Sequence, residues 1–132
     1  MASIQCVVVT PEETALEQES SFVVVPLFDG ELGIAPGHSP LIGRLGYGEL
    51  RLKSADGSVE RYYVDGGFAQ VADNAVTVLT GRLTPAADLD TSNIEAQLQE
   101  ALQKPGNTDE LADIREKSIS QARAQLAVAR RS

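Results

Sequence analysis

The sequence has little of what most site chemistry requires. Its 132 residues include no tryptophan, one cysteine and one histidine, which excludes an internal disulfide and a zinc site built from His and Cys. Basic residues are also scarce, because 11 Lys and Arg stand against 19 Asp and Glu, a formal net charge of −8. Binding to a phosphate backbone needs clustered Lys and Arg, so nucleic acid is excluded as a partner.

Long apolar runs are absent as well. No segment approaches the ~18 apolar residues that a membrane-spanning helix needs, and the first residues show no signal-like pattern. The sequence therefore predicts a soluble protein without membrane insertion. Cys6 alternates with apolar neighbours in IQCVVV, so we expect a buried and unreactive thiol.

Residue groupings that support catalysis are missing too. His38 and Ser39 precede Pro40 in a locally strained turn, which does not suit a nucleophile and its base. No glycine-rich loop of the GxxxxGK[ST] type is present to hold phosphates. The adjacent carboxylates of Glu12 and Glu13 fall in a predicted solvated turn. We assign no catalytic residue and expect no metal or cofactor.

What the sequence does contain is an unusual segment at residues 29–51, DGELGIAPGHSPLIGRLGYGELR. It holds six of the eleven glycines, two prolines and the only histidine, His38. Glycine admits positive φ and proline removes a backbone donor, so this segment turns repeatedly. Such a rigid apolar loop suits contact with another molecule, and it equally suits a tight corner between strands.

The first part of the chain is rich in glycine, proline and β-branched residues, which predicts many short strands. Strands are predicted at 4–9, 22–28, 32–34, 41–45, 48–54, 58–65, 68–72 and 75–80. The pairs Asp56-Gly57 and Asp73-Asn74 predict tight hairpin turns between strands, since primed turns need positive φ. The pattern indicates a β-sandwich, or flattened barrel, of about 8–10 strands over residues 1–86.

From residue 87 to residue 132, Ala, Gln, Glu, Leu and Arg dominate, which predicts an antiparallel hairpin of two helices. Asp88 and Asp90 are candidates to cap the first helix, the KPGN run at 104–107 ends it, and Thr108 caps the second. Both apolar stripes are thin and rich in alanine, so the hairpin should bury little surface. The packing face of the second helix is predicted to be Leu111, Ile114, Ser118, Ala122, Leu126 and Ala129.

Charge is unevenly distributed along the hairpin. Residues 88–116 carry eight acidic and two basic side chains, whereas residues 117–132 carry four basic and no acidic ones. Arg123 and Arg130 are seven residues apart and therefore lie on one flank of the helix. Basic residues at a helix C-terminus complement its dipole, and a basic arm can also meet an acidic surface on another protein.

Several of these segments resemble one known family. GELGIAPGHSPL followed by GELR, YVDGGFAQV at 63–71, VTVLT at 76–80 and the QARAQLAVARR end resemble the epsilon subunit of the bacterial F-type ATP synthase. The resemblance spans nearly the whole chain. It implies a central-stalk subunit of the rotor that has no catalytic site of its own and couples proton flow through the membrane ring to ATP synthesis.

The resemblance also implies partners for the two parts of the chain. The sandwich would lie against the gamma subunit and the membrane-embedded c-ring. The residues implied at that contact are Glu31, Leu32, Gly33, Ile34 and His38. The hairpin would permit turnover when folded on the sandwich and block ATP hydrolysis when extended beside gamma, where the catalytic alpha and beta subunits would be its partners. The residues implied to face acidic groups of the beta subunits are Arg123, Arg130 and Arg131.

One departure from the family concerns ATP. Some members bind ATP in the hairpin through an L-D-x-x-R-A pattern at the start of the first helix. Leu89 and Asp90 match it here, but Asn93 and Ile94 occupy the positions of the Arg and the Ala. Because a guanidinium that would fork onto phosphate is lost, we expect no ATP binding.

The resemblance implies a location as well. It places the protein at the bacterial inner membrane, as a peripheral subunit on the cytoplasmic side, and the lack of a transit peptide favours bacteria over an organelle form. From the residues alone an alternative stays open. It is a small non-catalytic β-sandwich that binds a ligand or serves as an adaptor.

Overall fold

The computed structural model of the protein describes residues 2–131, so Met1 and Ser132, the last residue of the predicted hairpin, lie outside the described residues. The chain divides between Pro85 and Ala86 into two compact units. Eight strands form the first unit, and a 3₁₀ turn with two helices forms the second.

The strands of the first unit follow one hydrogen-bonded path. They are β1 (Ile4–Val9), β2 (Thr14–Ser20), β3 (Phe22–Leu27), β4 (Gly30–Ile34), β5 (Leu41–Lys53), β6 (Val59–Ala72), β7 (Ala75–Leu79) and β8 (Leu83–Pro85). The order is β2-β1-β7-β6-β5-β3-β4, with β8 paired to β6. Only β1 and β7 pair in parallel among these described strands. The path ends at β2 and at β4, so the predicted sandwich is confirmed but the sheet does not close into a barrel.

The core of the sandwich is aliphatic, as the scarcity of aromatic residues requires. Inward-pointing residues alternate along the strands, with a change of phase near the glycines of β5 and β6, and six strands contribute. The buried cluster consists of Ile4, Cys6, Val8, Val23, Val25, Ile34, Leu45, Leu50, Leu52, Val64, Ala69, Val71, Val76 and Val78. Burial raises the pKa of Cys6 to about 12, so the predicted buried and unreactive thiol is confirmed.

Two long strands replace four short strands of the sequence prediction. β5 and β6 each cover two predicted strands, and their register is the same on both sides of the unpaired positions Gly46 and Gly66. Gly66 and Gly67 have positive φ there, and a Cβ at Gly67 would lie 1.8 Å from the Leu79 carbonyl oxygen. These glycines therefore continue the strands through a close approach, whereas the sequence prediction placed a break at them.

The sequence prediction also misses β2 and β8. β2 is an end strand of the sheet with the sequence TALEQES, in which Leu16 is the residue that packs against the core. β8 is three residues long and ends at Pro85. Hydrophobic alternation cannot reveal strands that bury so little apolar surface.

The two predicted hairpin turns differ in the structure. Asp73 and Asn74 both have positive φ, 51° and 60°, which confirms the tight turn between β6 and β7. Between β5 and β6 the predicted short hairpin is confirmed, but positive φ belongs to Gly57 and not to Asp56, so the predicted primed geometry of its turn is wrong. Asp56 instead accepts hydrogen bonds from the Oγ and N–H of Ser58, which lower its pKa.

The second unit contains a 3₁₀ turn (Ala86–Asp88), α1 (Thr91–Leu102) and α2 (Asp109–Arg130). Of the two candidate caps of α1, Asp90 is the one used, since its carboxylate accepts from the N–H groups of Ser92 and Asn93. Thr108 caps α2 as predicted, with its hydroxyl oxygen 3.2 Å from the Leu111 nitrogen. Side-chain oxygens at these positions satisfy N–H groups that a helix N-terminus leaves unpaired.

The two helices pack as an antiparallel hairpin around a small core. The cluster consists of Ile94, Ala122 and Leu126, with Leu89 and Leu98 packed against it. The predicted face of α2 is therefore correct in its C-terminal half.

In the N-terminal half of α2 the predicted face is wrong. Leu111 and Ile114 are 36% and 56% exposed, and Ile119 is buried instead. The cause is helix length, because α1 has 12 residues and α2 has 22. The Lys104 ammonium, just past α1, donates to the Ser118 hydroxyl at 3.1 Å, so the turns of α2 before that point have no α1 opposite them.

Candidate functional site

The residues predicted to contact partner subunits occupy β4 and the loop after it. Glu31 and Gly33 are exposed, and Leu32 is half-buried against the core. Ile34 is fully buried, so its side chain serves the core and is not available at the surface. His38 is half-buried in the loop. The part of this segment that a partner can touch is therefore Glu31, the outer side of β4 and the loop.

Glu31 belongs to a chain of four alternating charges across β4, β5 and β6. The Arg51 guanidinium lies 2.8 Å from Glu31 and 3.0 Å from Glu49. The Arg61 guanidinium lies 2.6 Å from the other oxygen of Glu49, whose side chain is only 2% exposed. The hydrogen bonds that the Arg51 guanidinium donates to Glu31 raise the pKa of Arg51. A buried carboxylate needs such paired donors, and the result is that Glu31 is held in one orientation.

The loop after β4 forms a defined turn. Pro36 is followed by Gly37 at φ +84°, and the His38 N–H donates to the Ala35 carbonyl at 3.2 Å, the arrangement of a type II turn. The His38 Nδ1 lies 2.7 Å from the Ser39 carbonyl oxygen. Because a carbonyl can only accept, Nδ1 carries the proton, and Nε2 is left as an acceptor when the ring is neutral.

An exposed apolar face, formed by Phe28, Ile42, Phe68 and Leu79, lies elsewhere on the sandwich. These side chains are 68%, 72%, 55% and 51% exposed, respectively. Phe68 on β6 stands opposite Leu79 on β7 and opposite Arg44 on β5. The Arg44 guanidinium lies over the Phe28 ring, 5.8 Å from its centroid. Register therefore joins the four side chains into one surface around a single basic group.

Sequence reasoning missed the apolar face, because Ile42, Phe68 and Leu79 sit in strands that also bury apolar residues and Phe28 lies in the turn after β3. On β5, Leu41 and Leu45 face the core and Ile42 between them faces outward. On β6, Ala69 is buried while its neighbour Phe68 is exposed. The available signal was an apolar residue out of phase with the inward positions, which marks a strand with two apolar faces.

An open groove of about 350 Å³ borders this face. It is lined by Val9, Thr10, Pro11, Gly67, Leu79, Thr80 and Gly81, with no ionisable side chain among them. Ligand sites combine an enclosed apolar cavity with a few convergent polar groups. The groove offers neither enclosure nor charge to orient a small molecule.

On the hairpin, the three predicted arginines lie in different settings. Arg123 is exposed and forms no ion pair with any residue in the range 2–131. Arg130 is paired with Glu95 of α1, and both side chains are more than half exposed. Arg131 follows α2 as its exposed C-cap residue. Of the three, Arg130 thus forms an ion pair that joins the two helices.

The residues at the positions of the ATP-binding pattern have structural roles in this chain. The Asp90 carboxylate is occupied as the cap of α1. Ile94, at the position of the pattern's Ala, is 3% exposed and belongs to the hairpin core. Asn93 donates its N–H to Asp90, so neither it nor Ile94 supplies a cation for phosphate.

Two kinds of feature are absent from the described residues. Between residues 2 and 131, no group of three or more His, Cys, Asp or Glu is arranged to hold a metal ion. No helix in that same range is long and apolar enough to cross a membrane.

Comparison with known proteins identifies relatives of the whole chain. Residues 3–86 match the family described as ATP synthase, Delta/Epsilon chain, beta-sandwich domain. The chain is 54% identical over 128 residues to an ATP synthase epsilon chain of Rhodopirellula baltica, covering 97% of this chain and 99% of that one. It is 39% identical over 133 residues to an ATP synthase epsilon chain of Bordetella petrii, covering 99% and 94%.

Two solved structures share the fold. A chain of the Euglena gracilis mitochondrial ATP synthase, from a structure of OSCP, F1 and c-ring, matches with a TM-score of 0.87 and 23% identity over 96% of this chain and 81% of that one. A chain of the Tetrahymena thermophila mitochondrial ATP synthase, from its central stalk and c-ring, matches with a TM-score of 0.73 and 16% identity over 96% of both chains. At these identities the likeness is one of fold.

Proposed function

This chain belongs to the epsilon-chain family of ATP synthases, and from that premise we propose that it is the central-stalk epsilon subunit of a rotary, proton-translocating F-type ATP synthase. In this role it has no catalytic residue of its own. It links the c-ring to the gamma subunit and the catalytic head, as a peripheral protein on the cytoplasmic side of the bacterial inner membrane.

The observation that carries this proposal is the exposed apolar face. Two phenylalanines, an isoleucine and a leucine, each more than half exposed, form one surface on the sandwich. Contiguous exposed apolar surface of this kind marks a protein interface, and aromatic anchors supply most of the binding energy in such interfaces. The apolar face binds gamma, while Glu31 and the His38 loop lie at the contact with gamma or the c-ring.

A matched pair of substitutions tests the apolar face. Phe68→Glu places a charge at its centre, and Val59→Glu makes the same kind of change at a 51% exposed residue outside it. We expect Phe68→Glu to weaken binding to the gamma–c-ring subcomplex by at least about tenfold, a loss of 1.4 kcal/mol or more. Val59→Glu should bind like the unmodified protein. Equal affinities for both variants would show that this face is not the contact.

For a ligand-binding sandwich, the alternative function, a candidate location is the open groove beside the apolar face. The lining lacks an ionisable side chain, so the groove supplies no group that would select a ligand. Its position at the border of the apolar face suits a recess that a partner protein fills. Co-purification with a gamma subunit separates the two functions, because a ligand-binding module would not bring one.

The hairpin contributes inhibition of ATP hydrolysis. Three of its buried side chains form its core cluster, and the other apolar residues described as buried in it are Ala101, Ile119 and Val128, so separating α2 from α1 exposes much less apolar surface than opening the sandwich would. Arg123 is already exposed, and Arg130 is held by Glu95, which competes with any acidic group on a beta subunit. Folded and extended hairpins are therefore two states of similar free energy, and contacts made elsewhere select between them.

Removal of α2 tests this second part of the function. Deleting residues 108–132 should raise ATP hydrolysis by the assembled complex and leave its assembly intact. Replacing Arg123, Arg130 and Arg131 together by Gln should reproduce part of the increase, because charged pairs across a desolvated contact contribute about 1–3 kcal/mol each. Equal hydrolysis with and without α2, at low and at high ATP, would show that the hairpin is not a brake.

A further inference from the structure

Asn74 connects three segments at one end of the sandwich. Its side-chain Oδ1 accepts a hydrogen bond from the Gly37 N–H at 2.6 Å. Its backbone carbonyl accepts from the N–H of Gln5, at the start of β1, at 3.0 Å. Asn74 itself is the second residue of the tight turn between β6 and β7, with φ of 60°. One residue therefore ties the β6–β7 turn to β1 and to the His38 loop.

The hydrogen bonds described within the His38 loop do not use the Gly37 N–H. In a type II turn the fourth residue, here His38, donates back to the first, and the N–H of the third points away. Pro36 and Pro40 have no N–H to contribute. The two other hydrogen bonds described for this loop, His38 to Ala35 and His38 to Ser39, stay within it. The Asn74 side chain thus attaches the loop to the rest of the sandwich.

We propose that Asn74 is a positioning residue for the contact that the His38 loop makes with partner subunits. By fixing the Gly37 N–H, it sets the direction in which the turn presents His38. The inference rests on the proposed function of the loop, because a loop ordered before binding loses less conformational freedom when it binds. Asparagine suits the position, since it adopts positive φ at low cost and carries a side-chain acceptor.

Three variants isolate this hydrogen bond. Asn74→Gly keeps a residue that favours positive φ and removes Oδ1. Asp73→Gly is the matched control, because Asp73 has φ of 51° in the same turn and no described hydrogen bond to the loop. Asn74→Asp restores an acceptor oxygen at the same place and is the conservative rescue. Thermal unfolding of each full-length variant checks that the sandwich is intact.

Two measurements give the expected result. Hydrogen exchange of the Gly37 amide in the isolated full chain should be about threefold to tenfold faster in Asn74→Gly, the range that one net hydrogen bond corresponds to. Affinity for a subcomplex of gamma and c-ring should fall by a similar factor. Asp73→Gly and Asn74→Asp should stay within about twofold of the unmodified protein in both measurements.

Two results would overturn the inference. Unchanged exchange at Gly37 in Asn74→Gly would show that the hydrogen bond does not hold the loop. Faster exchange with unchanged affinity would show that holding the loop does not serve the contact. A His38→Ala variant separates this failure from failure of the proposed contact: if His38→Ala weakens binding and Asn74→Gly does not, the contact stands and Asn74 has no part in it. If neither variant changes affinity, the proposed contact of the loop fails as well.

Discussion

The sandwich and the hairpin use the same kinds of apolar residue and bury them to different extents. Fourteen buried side chains from six strands form one cluster in the sandwich, whereas the cluster of the hairpin has three, with Ala101, Ile119 and Val128 buried outside it. Strand pairing in the sandwich joins segments far apart in sequence, such as β1 with β7 and β3 with β5. The hairpin joins neighbours through a short loop.

This difference in core size affects how easily each unit can rearrange. A core of many mutually packed side chains resists rearrangement, because moving one element exposes several others. The smaller core of the hairpin, with an exposed ion pair beside it, opens at a smaller free-energy cost. In the proposed function the sandwich accordingly serves as the fixed surface for partners, and the hairpin is the element that changes position.

The largest expected contrast is between leucines in the two cores. Leu52→Ala, at a side chain with no exposure, should lower the free energy of unfolding by about 2–5 kcal/mol. Leu126→Ala should cost less than about 2 kcal/mol, because the few neighbours in the hairpin can close around the smaller side chain. Chemical denaturation of both variants measures the difference. Equal losses would contradict the comparison between the cores.

The free energy of unfolding at alkaline pH tests the burial of Cys6 in the sandwich core. Burial raises the pKa of Cys6 from 9.0 to about 12, so the folded state keeps a proton that the unfolded state loses. The contribution is complete below pH 9 and disappears as pH rises toward 12, amounting to about 2 kcal/mol lost by about pH 10.5. The free energy of unfolding against pH should therefore fall more steeply in the unmodified protein than in Cys6→Ala.

Tyrosines do not interfere with that comparison. Burial raises the pKa of Tyr62 to about 12 and raises that of Tyr63 as well, so both lower stability in the same direction at alkaline pH. They are present in both proteins, and only the difference in slope reports the thiol. Identical slopes would mean that Cys6 titrates alike in the folded and unfolded states.

Removal of the hairpin tests the independence of the sandwich. Residues 1–86 contain the whole fourteen-residue core, so this fragment should unfold cooperatively by itself. We expect its free energy of unfolding to stay within about 1 kcal/mol of the value for the sandwich transition in the full chain. Calorimetry of the two proteins makes the measurement. A fragment without a cooperative transition would show that the sandwich depends on the hairpin.

A smaller effect is expected from the ion pair of the hairpin. Glu95→Gln removes the partner of Arg130, and exposed pairs of this kind contribute about 0.2–1 kcal/mol. The hairpin should open more often, seen as faster hydrogen exchange in α1 and slightly stronger inhibition of hydrolysis. Glu100→Gln is the control, since Glu100 forms no ion pair with any residue that the structure describes. Equal exchange in the two variants would show that the pair does not hold the hairpin.

The last expectation is the absence of an effect from ATP. Asp90 caps α1, Ile94 fills the hairpin core, and the position of the family's arginine is Asn93. The net charge of −8 also opposes binding of a polyanion. Calorimetric titration of the isolated protein should show no binding below about millimolar ATP. Tighter binding would mean that the hairpin senses ATP through groups other than the family pattern.

The secondary structure, the helix caps and the tight turn depend on short stretches of sequence. The division into strands and helices follows from composition and from periods of two and 3.6 residues. The caps at Asp90 and Thr108 and the tight turn at Asp73-Asn74 depend on neighbouring backbone groups, so they can be read from a few residues. The motifs around His38 likewise indicate the family from the sequence alone.

Tertiary structure decided the features that depend on residues distant in the chain. Pairing partners on both sides carry β5 and β6 through their glycines, and register assembles Phe28, Ile42, Phe68 and Leu79 into one face. The bond from Gly37 to Asn74 spans 37 residues, and the pairing of Arg130 with Glu95 requires the two helices to be aligned. A local sequence pattern indicates which secondary structure each residue favours, whereas the contacts between residues distant in the chain are set by the fold.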